Sequence, residues 1–313
     1  MGLFLEQGGL RLDALGQSFF QRELELLKSQ TFDVLYADLP ARELFPVNNE
    51  GGFGITTITY QSFDKTGKAK IINGGSKDLP RADVGGIEIT NPVREIGISY
   101  AWNVKEIASA ARTGRPIDRQ RADAANRSVE ELVNDIAFNG DASHGMPGFL
   151  SNTSIPQGVV IDPGSGTEWV NKTPAQVVFD INDCLDDVFS ISKMKERADT
   201  ILLPPDKWSF IMNTRMETGT DTTIAQFIVN NNVFIASMDS IIPVNQLTGA
   251  GAASTDRMVA YTRRPDKLQL ELPAELQFLP AQEQGLEQVV PGWLSMCGTV
   301  VYYPLSANFC DGI

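Results

Sequence analysis

The spacing of apolar residues along this chain changes period several times, and each change marks a segment. From residue 53 to residue 100 the period is two. F-G-I-T-T-I-T-Y-Q-S-F (53–63) is dense in Ile, Thr and aromatics, and Ile87, Ile89, Ile96, Ile98 and Tyr100 alternate with polar neighbours; both stretches predict strands. D-K-T-G (64–67) predicts a turn, K-A-K-I-I (68–72) a resumed strand, and N-G-G-S-K-D-L-P-R-A-D (73–83) a loop tip. Together they predict a long ribbon of two or three strands whose apolar face has no partner nearby in sequence. Such a ribbon is marginal alone in water, so it implies packing against another molecule. Lys65, Lys68, Lys70 and Lys77 lie along it, either facing a partner or guarding a solvated edge.

The period then shifts to that of a helix. W-N-V-K-E-I-A-S-A-A-R-T-G-R (102–115) predicts a short helix, and Arg115–Gly140 the longest one. Pro116 suits its first position, Asn139-Gly140 its stop, and Ala122, Ala125, Val129, Leu132 or Val133, and Ile136 form one apolar stripe. Its charges oppose its dipole: Arg115, Arg119, Arg121 and Arg127 come early, Glu130, Glu131 and Asp135 late. Such an order suits a helix matched to something outside itself, with Arg119 or Arg127 meeting acidic groups of a partner.

Residues 15–30 predict a helix with Phe19 or Phe20, Leu24 and Leu27 on one face, and 31–47 is broken by Pro40 and Pro46. Leu35, Tyr36, Leu44 and Phe45 need a surface to land on, so residues 1–48 are expected to act as a docking arm. From about residue 168 the pattern alternates helix and strand. A helix from Thr173-Pro174 carries Val177 or Val178, Ile181, Leu185 and Val188 inward, with Asp180, Asp183, Asp186 and Asp187 on an outer, solvated face. T-I-L-L (200–203) predicts a buried strand, and 204–215 and 222–231 predict helices. Residues 244–257 form a small-residue loop; 257–263, 267–273, 276–280 and 293–304 are strands, the last pairing with 276–280.

Composition narrows the chemistry. Hydrophobic residues make up 42% and charged ones 21%, ordinary for a globular protein. No apolar run approaches the roughly 20 residues of a membrane span, and the N-terminus does not read as a signal peptide. A net charge of −13 repels phosphate and argues against a conventional nucleic-acid binder. Cys184, Cys297 and Cys310 are odd in number and lack metal-ligand spacing; they read as reduced, buried thiols of an intracellular compartment. The single histidine, His144, precedes a Gly-Met-Pro-Gly turn and reads as a loop residue. No nucleotide-binding, nucleophile-elbow or zinc motif is present, and G-A-G-A-A-S (249–254) lacks the strand–turn–helix setting of a dinucleotide site. The chain therefore has no assigned catalytic, metal or cofactor residues and reads as a structural or binding protein.

The order of arm, ribbon, spine helix, G-F-L turn, α/β region and returning strands resembles the major capsid protein of tailed bacteriophages. That is the Hong Kong 97-type fold, also used by encapsulin nanocompartments. The residues that carry the resemblance are Y-Q-S-F-D-K-T-G-K-A-K-I-I and D-L-P-R-A-D-V in the ribbon, E-I-A-S-A-A after it, A-F-N-G-D and G-M-P-G-F-L closing the helix, and I-L-L-P-P-D-K-W-S beyond. It implies an α+β fold with an N-terminal arm (1–48), an extended β-hairpin loop over a neighbour (49–100) and a peripheral domain built on the spine helix (101–167 and 264–303). An α/β axial domain (168–263) follows, with 232–256 nearest the axis, and then a returning C-terminal segment (304–313). It implies hexamers and pentamers of an icosahedral virion shell, assembled in a host cytoplasm around double-stranded DNA that is not read by sequence. Portal, scaffolding and decoration proteins are the implied partners; a membrane is not. Leu35, Tyr36, Phe45, Lys65, Lys68, Lys77, Arg119 and Arg127 are the expected inter-subunit contacts. Some relatives join a ribbon Lys to an Asn of a neighbour; here Lys65, Lys68, Lys70 or Lys77 could supply the amine and Asn308 or another Asn the acceptor. An encapsulin-like shell around a cargo enzyme, and a soluble α/β ligand-binding or hydrolase domain, are the alternative readings.

Overall fold

A computed structural model describes residues 37–71, 81–113, 117–164, 166–217 and 219–313. The predicted helix at 15–30, Pro116, and candidates Leu35, Tyr36 and Lys77 lie outside the described residues. The elements are α1 (Ala41–Leu44), β1 (Val47–Asn48), β2 (Thr57–Thr66), β3 (Asp83–Pro92), β4 (Arg94–Asn103), α2 (Val104–Thr113), α3 (Ile117–Asn139) and β5 (Gln157–Val159). Then follow α4 (Pro174–Ile191), β6 (Thr200–Leu203), α5 (Pro205–Asn213), α6 (Ile224–Asn231), β7 (Ile241–Pro243), β8 (Arg257–Tyr261), β9 (Leu268–Glu271) and β10 (Ala274–Phe278). The chain ends with β11 (Gln282–Gln284), β12 (Glu287–Met296), β13 (Gly298–Val301) and β14 (Ala307–Asp311).

A five-stranded sheet in the order β5-β14-β8-β6-β7 stands between two apolar cores. Leu202, Val259, Tyr261, Ala307 and Phe309 face one of them, with α1 and the inner stripe of α3. Ile201, Leu203, Met258, Ala260 and Cys310 face the other, with α4, α5 and α6. Successive strand residues point to opposite faces. A sheet covered on both sides therefore needs continuous apolar runs such as T-I-L-L and R-M-V-A-Y. The α3 stripe is as the periodicity predicts, with Val133 inward at 1% exposure and Leu132 outward at 41%. Gly140, at φ 72°, closes that helix.

The strand pairings depart from the sequence in three places. The predicted turn at 64–67 is absent: β2 runs to Thr66, pairing with β3 from Thr57↔Pro92 to Thr66↔Asp83. Residues 68–71 are not strand. The stretch 86–100 is two strands, not one. Val93 turns inward between them, and β4 leaves the ribbon to pair with β12 from Asn103↔Glu287 to Arg94↔Met296. The predicted strand 293–304 is likewise split: β12 pairs with β10 as expected, and after Cys297 the chain crosses to β9 as β13. Gly298, at φ 111°, makes the crossing, and a Cβ there would lie 2.2 Å from the Pro147 carbonyl oxygen. Thr299 locks the junction by donating from its N–H to Pro147 O (2.9 Å) and from its hydroxyl to Ala137 O (2.8 Å). Gly148 meets the end of α3 as closely; a Cβ on it would sit 2.2 Å from Gly140 N.

Two readings of polar residues are corrected. Asp180 is not on a solvated face. It is buried, and accepts from Lys172 Nζ (2.6 Å) and Trp169 Nε1 (3.1 Å), with burial raising its carboxyl above the ordinary value. Cys184 and Cys310 are not separate thiols. Folding brings α4 over β14, and the two are joined in a disulfide across 126 residues of sequence. Cys297 is the remaining free thiol, buried and pushed up to about 12 by burial.

Candidate assembly surfaces

The segment before the ribbon is anchored within its own subunit. Phe45 is fully buried, its ring 5.2 Å from Phe138 and 5.1 Å from Phe149. Tyr261 donates its hydroxyl to Leu44 O at 3.0 Å. Arg42 forks onto Glu130 and Glu275, each by two hydrogen bonds of 2.8–3.0 Å, and the Glu275 bonds above all raise its pKa. β1 then pairs in parallel with β9. The expectation that Phe45 touches a neighbouring subunit is thereby corrected: a ring with no exposed surface has nothing to offer a partner.

The ribbon is the reverse case. At its base Ile55, Ile58 and Tyr60 pack on Val93, Val300 and Tyr302. Tyr60 and Tyr302 meet edge to face at 5.1 Å, and Tyr302 donates to Glu271 at 2.6 Å. On either side of Tyr60 side chains of the two strands bond across the ladder. Thr59 bonds Thr90 at 2.8 Å and Gln61 donates to Glu88 at 2.7 Å. The register puts Tyr60, Ser62, Ile87 and Ile89 on one face and Gln61, Phe63, Lys65, Val84 and Glu88 on the other. Phe63 lies over Gly86, yet is 63% exposed; Ile87 is 69% and Val84 57% exposed. Lys65, Lys68 and Arg81 are exposed at its outer part. An open cleft of about 820 Å³ separates Tyr60–Phe63 from the loop 191–196 and from Tyr303 and Leu305.

The charge order of α3 is answered partly inside the subunit. Arg121 reaches Glu106 of α2 at 3.0 Å and also the carbonyl of Ala101; Glu130 takes Arg42. Arg127 pairs with Glu131 one turn on, at 2.8 Å. The side chain of Arg119 lies outside the described residues. Asn308 is buried, its amide given to Asp187 at 3.2 Å, so it is no acceptor for a ribbon lysine of another subunit. His144 lies in the turn after α3, its Nδ1 2.5 Å from Asp141, whose carboxyl is held at about 2 by Ser143 and His144. Among the described residues no group of His, Cys, Asp and Glu is placed to hold a metal ion, and no helix is long and apolar enough to cross a membrane.

The surface that stands out among the described residues is thus the outer part of the ribbon, where Phe63, Val84 and Ile87 are exposed beside Lys65 and Lys68. Residues 67–313 match the family model described as "Major capsid protein". The chain belongs to that family. No curated protein matches it in sequence. Among solved structures, this major capsid protein is similar to the capsid of the myovirus phage XM1, with TM-score 0.79 at 16% identity over 100% of this chain and 99% of that one. It is also similar to the capsid of the native GTA particle, with TM-score 0.66 at 10% identity over 96% and 99%. Mycobacterium phage Ogopogo follows, with TM-score 0.59 at 11% identity over 94% and 98%. These likenesses show the α+β, Hong Kong 97-type fold. The major capsid protein is a shell-forming structural protein of the virion, and it assembles with copies of itself.

Proposed function

We propose that the chain forms the hexamers and pentamers of an icosahedral head enclosing double-stranded DNA, and that it has no catalytic role. The observation that carries this reading is the ribbon: ten residue pairs long, rooted at Tyr60 and exposing Phe63, Val84 and Ile87. Isolated two-stranded ribbons are marginal in water, so its outer part lies over a neighbouring subunit, with Lys65 and Lys68 in that contact. Leu35, Tyr36, Lys77, Arg119 and Arg127 are proposed contacts of the same assembly.

In this reading 1–48 form the arm and 49–100 the extended loop. Residues 101–167 with 264–303 form the peripheral domain and 168–263 the axial domain, with 232–256 nearest the symmetry axis. The place of β14 between β5 and β8 favours counting 304–313 with the axial domain. The net charge of −13 keeps packaged DNA from adhering to the wall, so the genome is enclosed without being read. Portal, scaffolding and decoration proteins complete the head, and assembly takes place in the host cytoplasm.

Negative-stain microscopy of the expressed protein, with nuclease-protection analysis of particles from an infected or induced host, tests the reading. Closed shells built of five- and six-fold units and protected double-stranded DNA are expected. Shells holding a protein cargo and no DNA would favour a compartment instead, and a stable monomer would overturn the assembly itself.

A further inference from the structure

We propose that the Cys184–Cys310 bond is a clamp set after assembly. The chain folds and assembles as the dithiol, and oxidation after release from the cell then staples β14 to α4. This rests on the reading that shells assemble in a host cytoplasm, where thiols stay reduced.

The geometry supports both states. Cys184 lies on the inner face of α4 and Cys310 on β14, with Cα atoms 6.3 Å apart, inside the range a disulfide spans without backbone movement. β14 does not need the bond to stay in place. It pairs with β8 from Ala307↔Tyr261 to Asp311↔Arg257, Phe309 is buried, and Asp311 is forked by Arg257 at 2.7 and 3.0 Å. Two thiols in such packing behave as small apolar side chains, so the dithiol is a complete fold. Closure then removes freedom from the unfolded chain across a 126-residue separation.

The site also admits the chemistry. The Asn308 amide nitrogen lies 3.4 Å from Cys310 Sγ and 3.9 Å from Cys184 Sγ, and an N–H donor at sulfur favours the attacking thiolate. On its outer edge β14 pairs with β5 through three residue pairs ending at the exposed Val159. Release of this short edge strand opens the way to Cys310. With a small-molecule disulfide as oxidant, the Cys310 thiolate attacks one sulfur and expels one thiolate. The Cys184 thiolate then displaces the second from the mixed disulfide. Two electrons pass to the oxidant, and the two protein protons end on the released thiols. Cys297, fully buried and without a second sulfur, stays a thiol throughout and serves as an internal reference.

The test is a thiol count on the wild-type protein. Shells quenched with alkylating agent during lysis, then denatured, are expected to label at all three cysteines. Shells incubated with oxidised glutathione before alkylation should label at Cys297 alone and lose two hydrogens in mass. Their unfolding midpoint should rise by roughly 5–10 °C, reversed by dithiothreitol. Cys310→Ser shells should show no rise on oxidation. Labelling of a single cysteine at lysis, of three after oxidised glutathione, or an unchanged midpoint would each overturn the clamp. If the wild-type chain forms no shells, the assembly reading fails, while the same count on the soluble chain still decides whether the pair closes.

Discussion

Two antiparallel ladders of ten residue pairs stand back to back in this chain, joined at Val93. β2–β3 and β4–β12 are equally long, and β3 and β4 both carry alternating isoleucines. They differ in what lies beneath them. Ile96 and Ile98 of β4 pack on the main core, whereas Ile87 and Phe63 of the ribbon are exposed. Alternation therefore tells which residues share a face, but not whether that face is covered by the same molecule. In a chain that builds a shell, an exposed ladder of this kind is the part we propose for contact with another copy.

The covered framework and the exposed ribbon should respond to substitution in opposite ways. The largest effect is expected from Phe45→Ala. Removing a ring packed against Phe138, Phe149 and Tyr261 should cost about 3–5 kcal/mol in urea unfolding. A stable, assembly-deficient chain would instead put Phe45 back among the contacts. Next is Asp311→Asn, which leaves Arg257 buried and half-paired; a loss of about 3 kcal/mol at neutral pH is expected. Burial alone would raise the Asp311 carboxyl. The Arg257 fork, the Ala252 N–H and Gln157 outweigh it and hold the pKa below 3.8. Its contribution is thus complete above that unfolded value and is lost as pH falls through the depressed folded one. Acid unfolding of the Asn variant should accordingly be shallower below about pH 4.

Breaking the ribbon should do the opposite. Phe63→Ser with Ile87→Ser should move the unfolding free energy by less than about 0.5 kcal/mol, as surface changes do. Assembled material by sedimentation should nevertheless fall at least ~10-fold, the equivalent of about 1.4 kcal/mol at one contact. A destabilised chain that still assembles would mean the ribbon folds onto its own subunit. Lys65→Glu should reduce assembly by a smaller factor, and the deficit should shrink as salt is raised. Arg127→Glu is expected to matter least. It exchanges the pair with Glu131 for a like-charge pair at the same spacing, a change of a few tenths of a kcal/mol. A severe assembly defect there would give α3 a partner-facing role that its local pairing does not require.

What the sequence makes legible follows from range. The stripe of α3, the run of helices from Pro174 to Asn231 and the pairing of β10 with β12 arise from local period or short separation, and they are found in the structure. The partner of β4 lies nearly two hundred residues on, and nothing in R-E-I-G-I-S-Y specifies it. Asp180 was misplaced because its neutralising Lys172 sits outside the helix, in the turn before it. Phe45 looked like an unattached side chain because the rings that enclose it come from residues 138, 149 and 261. The Cys184–Cys310 pairing was hidden for the same reason. The exposed apolar residues of the ribbon were legible as an alternation with no apolar partner nearby in sequence.

The junction of α3, the 146–148 turn and β13 has a mechanical consequence. Around Gly148 and Gly298 main chain touches main chain, with no side chain to act as a cushion. Cys297 and Val300, on either side of Gly298 and Thr299, also form part of the ribbon's root. A load on the outer ribbon would therefore pass through bare backbone to the end of the 23-residue helix α3. Tilting the ribbon would then tend to tilt that helix as well, with little slack between them.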